Sequence, residues 1–189
     1  MQPTQKTFYL NLEMFSMENA RVHVYTGNGK GKTTAALGLA VRAAGHGFKG
    51  YMIQFMKGRI NYGELETANL IPNFEITQFG RPEFVSKADP DPIDIELARE
   101  GFEHAKEIIF SQRYDLVILD EINVAMDFKL IPVEDVLTLL EERPDTVELV
   151  LTGRKCPRHI VIIADYVTEM LEIKHPYMEG VLARKGIEW

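Results

Sequence analysis

The feature that most constrains this chain is a short apolar strand that passes through a glycine-rich loop directly into a helix. Val22-His23-Val24-Tyr25 is the strand, and Thr26-Gly27-Asn28-Gly29-Lys30-Gly31-Lys32-Thr33-Thr34 is the loop. Ala35-Ala36-Leu37-Gly38-Leu39-Ala40 opens the helix. In that order the pattern reads as a phosphate-binding P-loop. The glycines let backbone N–H groups converge on one anion. The helix start adds unpaired N–H groups and the positive end of its dipole. A nucleoside triphosphate is therefore expected on Gly27, Asn28, Gly29, Lys30, Gly31, Lys32, Thr33 and Thr34. Lys32 should reach the terminal phosphates from a solvent-facing position, with Thr33 Oγ1 as a Mg²⁺ ligand. One position departs from the usual pattern. Thr26 stands where a glycine normally opens the loop, and Gly27 follows it, so the length is kept but the entry is stiffer.

A chain of 189 residues fits one domain with a sizeable core. Its net charge of −7 argues against a general nucleic-acid binder, which normally shows a basic face. There is no apolar run of membrane-spanning length, and the first residues lack a charged-then-apolar leader. Cys156 is the one cysteine, which excludes an intrachain disulfide and argues against a thiolate zinc site. A cytoplasmic protein is expected.

Residues 1–20 show no clean period and carry Phe8, Tyr9, Leu10, Leu12, Met14 and Phe15. They read as an N-terminal arm, either docked or frayed. Residues 21–189 read as a single domain in which strands and helices alternate, the signature of a mostly parallel sheet covered on both faces. The P-loop helix should turn Ala36, Leu37, Ala40, Val41 and Ala44 inward and stop at Gly45 and Gly47. Tyr51–Phe55 and Phe74–Gln78 read as strands. After an irregular, proline-rich stretch, a long helix should open on Asp91 and Pro92. Leu116–Leu119 has the continuous apolar character of a buried parallel strand. A helix after Pro132 and a strand over Val147–Thr152 complete the pattern.

Asp120-Glu121 follows that buried strand at the sheet edge where the P-loop also lies. Either carboxylate could hold Mg²⁺, directly or through water, together with Thr33. Arg154, after Thr152-Gly153, could neutralise phosphate or hold the ribose. Arg42 is a further nucleotide candidate in the P-loop helix. His46, His175 and Cys156 have no partner cluster, so structural or surface roles are favoured.

These residues together resemble a known family. Gly27 through Thr34, Arg42, Gly45-His46-Gly47, Gln54-Phe55-Met56-Lys57-Gly58, Leu119-Asp120-Glu121, Thr152-Gly153-Arg154, Ala164-Asp165 and Lys174-His175 are similar to the ATP:corrinoid adenosyltransferases, from about Val22 to Trp189. The resemblance implies a RecA-like P-loop fold, a homodimer, and ATP with Mg²⁺. It implies transfer of the 5′-deoxyadenosyl group to the Co(I) of a reduced corrinoid, with tripolyphosphate leaving and an electron-donating flavoprotein as a possible partner. It gives Lys32 the catalytic part. In that family an aromatic loop after the third strand, including a tryptophan, presses on the corrinoid. Here the loop reads Gly80-Arg81-Pro82-Glu83-Phe84-Val85, which leaves Phe84 and Phe79 as the aromatic candidates.

The competing reading is a RecA-like ATPase coupling hydrolysis to a macromolecular partner, with Glu121 orienting water. The acidic charge speaks against a nucleic-acid partner. A small-molecule kinase would need an acceptor base and an arginine-rich lid, which the sequence does not offer.

Overall fold

The structure, a computed structural model, describes residues 17, 19–58 and 62–188. Six strands form one parallel sheet in the order β3-β2-β4-β5-β1-β6. They are β1 (Val22–Thr26), β2 (Gly50–Phe55), β3 (Phe74–Phe79), β4 (Leu116–Asp120), β5 (Glu148–Thr152) and β6 (Tyr166–Glu169). The helices are α1 (Lys32–Gly45), α2 (Gly63–Leu70), α3 (Pro92–Phe110), α4 (Ile122–Asp127), α5 (Val133–Glu142) and α6 (Arg158–Ile163).

Strand alternation divides the core between the two faces. Tyr51, Ile53, Val117, Leu119, Leu149 and Leu151 point towards α3, α4, α5 and α6. Met52, Leu116, Ile118 and Val150 point the other way, beneath α1. On that side Ala36, Ala40 and Ala43 make the contact, so a smooth helix can lie close to the sheet. Val41, expected inward, is 53% exposed. At 100° per residue it lies roughly 140° round the helix from Ala36, and Ala43 takes the buried place.

The long helix opens as its sequence predicts. Asp91 Oδ1 accepts from Ile93 N at 3.1 Å and Pro92 occupies the first turn, where no N–H is needed. Four elements were not legible in the sequence. α2 buries none of its residues, α4 and α6 have six residues each, and every residue of β6 is exposed. None carries a readable apolar period.

Most of the expected arm lies outside the described residues. Ala20, at its end, is buried and donates its N–H to Asp145 O at 2.8 Å. Among the described residues no helix is long and apolar enough to cross a membrane.

Candidate active site

Register brings three polar residues together at the carboxyl edge. Gln54 pairs with Asp120, Leu119 with Leu151, and Tyr25 with Thr152. Gln54, Asp120 and Thr152 therefore sit side by side on the α1 face, each within the last two residues of an apolar strand. Asp120 is fully buried and takes four hydrogen bonds. Thr33 Oγ1 donates to its Oδ1 at 2.8 Å and Thr152 Oγ1 at 2.7 Å. Lys57 Nζ donates to its Oδ2 at 2.8 Å and Gln54 Nε2 at 3.2 Å. Gln54 is oriented in turn by Gln78, whose Nε2 donates to Gln54 Oε1 at 2.9 Å. Burial alone would raise the Asp120 pKa, but the Lys57 ammonium and the hydroxyl donors hold it below the ordinary value.

The same row explains the P-loop. Thr26 ends β1, and its hydroxyl accepts from Cys156 N at 3.3 Å. The unusual threonine thus ties the loop entry to the chain after β5. The positive φ that the turn needs falls on Gly27 (91°) and Gly31 (118°). Gly29 is required by close approach: a Cβ there would stand 2.7 Å from Leu171 O and 2.8 Å from Met170 O. Its N–H is already bonded to Met170 O at 2.7 Å, so the chain after β6 lies along the loop. The first helical bond, Ala35 N to Gly31 O at 2.7 Å, leaves the N–H groups of Lys32, Thr33 and Thr34 ahead of the helix ladder.

Lys32 is not solvent-facing, as expected from the motif, but 8% exposed. Its ammonium folds back over the loop and donates to Gly27 O at 2.9 Å and Gly29 O at 2.8 Å. Burial pushes its pKa down, opposed chiefly by the charge of Glu121.

Glu121 differs from its neighbour Asp120 in every respect. Its φ of 64° is a left-handed conformation unusual for a glutamate, fixed by its N–H donating to Thr152 Oγ1 at 3.0 Å. Its carboxylate receives no hydrogen bond among the described residues, and burial followed by the charge of Asp120 raises its pKa. The two carboxylates, either of which was expected to hold Mg²⁺, thus divide the work. Glu121 has unoccupied oxygens facing the cavity, and the Thr33 hydroxyl, whose hydrogen is directed to Asp120, keeps its lone pairs free. Asp120 has no free oxygen for direct ligation, so its position is behind Thr33. This donor set of hydroxyl and carboxylate oxygens suits a hard divalent cation.

Two cavities open at this edge. The first, of about 650 Å³, is lined by Asn28–Thr34 and includes Thr67, His175 and Ile187. The second, of about 670 Å³, is bordered by Met56, Phe84, Phe128 and Lys155. Asn28, Lys57, Tyr62, Glu121 and Arg154 line both and form their common wall. Arg154 therefore stands on that wall.

Phe84 is fully exposed and borders the second cavity. Phe79 is not there. Its ring packs on Gly101 and lies 5.5 Å from the His104 ring, since it points to the α3 face of β3. Arg42 is also outside both cavities. It sits exposed in the last turn of α1, about ten residues or 15 Å along the helix from Lys32.

His46 is an exposed residue at the end of α1. His175 borders the first cavity but spends its Nδ1 accepting from Tyr177 N at 3.2 Å. The Cys156 thiol is pushed up to about 12 by burial, which leaves it inert at neutral pH. Sequence reasoning missed Gln54, Lys57 and Thr152 as members of the site. For Gln54 and Thr152 the available signal was a polar residue at or next to the end of an otherwise apolar strand; Lys57 lies beyond β2 and carried no such signal.

A parallel sheet carrying a P-loop after β1 and an acidic pair two strands away defines a RecA-like nucleotide-binding protein. The crystal structure of a KaiC-like protein from the archaeon Pyrococcus horikoshii OT3 has the same fold. It superposes with a TM-score of 0.54 at 19% identity, over 83% of this chain and 74% of that one. The family model for ATP:corrinoid adenosyltransferase BtuR/CobO/CobP matches residues 18–189. The corrinoid adenosyltransferase of Escherichia coli K12 is 38% identical over 91% of this chain and 87% of its own length. The corrinoid adenosyltransferase CobA of Salmonella typhimurium is 35% identical over 91% and 87% respectively. The chain belongs to the ATP:corrinoid adenosyltransferase family.

Proposed function

We propose that this protein transfers the 5′-deoxyadenosyl group of ATP to the Co(I) of a reduced corrinoid and releases tripolyphosphate. The observation that carries this reading is the common wall of the two cavities. Triphosphate in the P-loop cavity and a flat acceptor in the second would meet at Asn28, Lys57, Glu121 and Arg154. Co(I) supplies the electron pair for the new Co–C5′ bond, the C5′–O5′ bond breaks, and its electrons leave on the phosphate oxygen. Co(I) needs no general base, which fits a wall that offers no free imidazole.

The chain's contribution is position and charge. Lys32 turns from the loop carbonyls to the phosphates, joined by the N–H groups at the start of α1. Arg154 adds a second cation at the wall, and Phe84 offers an aromatic face to the acceptor. Thr33 and Glu121, with Asp120 behind, would hold Mg²⁺, which supplies charge neutralisation for the departing phosphates. The homodimer, the reducing flavoprotein, the cytoplasmic setting and the single domain over 21–189 with its N-terminal arm belong to the same proposal.

The test is product analysis with ATP, Mg²⁺ and chemically reduced corrinoid. The expected products are a light-sensitive Co–C species and tripolyphosphate in equal amounts. Orthophosphate without corrinoid turnover would instead favour ATP hydrolysis with Glu121 orienting water.

A further inference from the structure

Resting on the adenosyltransferase reading, we infer that Lys155 selects for an anionic group at the edge of the corrinoid. The second cavity is lined by four cations, of which Lys57 and Arg81 are held in ion pairs within the protein. Lys57 is 2.8 Å from Asp120, Arg81 donates twice to Asp94 at 2.8 Å, and Lys87 is 2.6 Å from Asp127. Glu83 acts on Arg81, and Arg154 acts on Glu121. Lys155 is exposed on this cavity and has no ion pair or hydrogen bond among the described residues.

Its backbone makes the placement more than incidental. Lys155 has a φ of 58°, a conformation that glycine takes freely and lysine does not. The chain on both sides is pinned. Gly153 N donates to Tyr25 O at 3.1 Å, Asn123 Nδ2 donates to Gly153 O at 3.2 Å, and Cys156 N donates to Thr26 Oγ1 at 3.3 Å. A rigid loop therefore presents one uncompensated ammonium to the acceptor cavity, one residue beyond the cation on the common wall. A planar macrocycle seated there would bring its edge substituents to Lys155. The chemistry that answers an ammonium is an anion, and corrinoids offer two: free side-chain carboxylates on the ring edge, or the phosphodiester of a nucleotide tail.

The experiment measures equilibrium binding and, separately, turnover of three corrinoids by the parent, Lys155→Gln and Lys155→Gly. One corrinoid is fully amidated without a tail, one has free edge carboxylates, and one is amidated with the phosphodiester tail. In the parent, one anionic corrinoid should bind about 3- to 5-fold more tightly than the neutral one, and this preference should shrink as salt is raised. Both variants should lose the preference while keeping their affinity for the neutral corrinoid. Lys155→Gly should also melt at a higher temperature than the parent, and Lys155→Arg should keep the preference. The arm that loses affinity identifies the source of the anion. Equal loss on all three corrinoids, or no loss on any, overturns the assignment. Charge-selective binding without adenosyl transfer would remove the activity and leave Lys155 in place.

Discussion

The two cavities share a wall but are built in opposite ways. On the nucleotide side the polar groups at the strand ends and the P-loop lysine have partners before any ligand arrives. Asp120 is saturated by four donors, Gln54 is held by Gln78, and Lys32 rests on two loop carbonyls. On the acceptor side the border is an irregular loop with an exposed phenylalanine and an unpaired lysine. Phosphates are small, fixed in shape and highly charged, so a rigid cradle fits them well. A large macrocycle needs area and one or two orienting contacts, which exposed loop side chains supply.

The largest blow to the rigid side should come from Asp120→Asn. It leaves the Lys57 ammonium, only 16% exposed, with the more distant Glu64 carboxylate at 3.8 Å as its counter-charge in place of Asp120 at 2.8 Å. Breaking a buried pair from one side costs roughly 3 kcal/mol or more, readable as a lower denaturation midpoint in urea. In the parent, Asp120 titrates below its ordinary value of 3.8, so the contribution is present above that pH and is lost as pH falls through the depressed value. The variant should lack this acid-side slope. An unchanged midpoint would mean the network does not hold the sheet edge.

Next comes Lys32→Met, which should weaken ATP binding about 100-fold by calorimetry. The apo protein should stay within about 1 kcal/mol of the parent, because a buried ammonium with a lowered pKa is a cost to the fold. That cost is present at neutral pH and is relieved as pH rises through the lowered pKa. Retained ATP affinity would remove Lys32 from the phosphate site.

A pair of phenylalanines sharpens the comparison further. Phe79→Ala opens a gap against Gly101 and His104 and should lose about 2 kcal/mol of stability with little change in corrinoid KM. Phe84→Ala should leave the melting temperature unchanged, since that ring is wholly exposed, and lower turnover by about 3- to 10-fold. The reverse outcome would exchange their assignments. The smallest effect is expected from Arg42→Ala, whose kinetics should match the parent's because its side chain lines neither cavity.

These expectations follow different kinds of information. The P-loop, the buried strand Leu116–Asp120 and the capped helix at Asp91 were legible because each is specified by neighbours in sequence: turn glycines, an apolar run, a carboxylate over a helix start. Val41 was misplaced by one helical step because its apolar character satisfied the pattern without deciding which face the alanines would claim. Phe79 and Phe84 looked alike as nearby loop aromatics. The last residue of β3 alternates towards α3, whereas Phe84 has left the strand altogether.

By itself the sequence determined a phosphate cradle on an α/β scaffold, the acidic pair beside it and the family pattern that runs through them. Those features depend on local backbone geometry and on residue order. Only the tertiary structure decided that Asp120 is enclosed while Glu121 stays open, that Lys32 lies buried, and that Lys57 and Arg154 stand between two cavities. The reason is register: strands distant in the chain must be laid side by side before it is known which side chains meet at their ends.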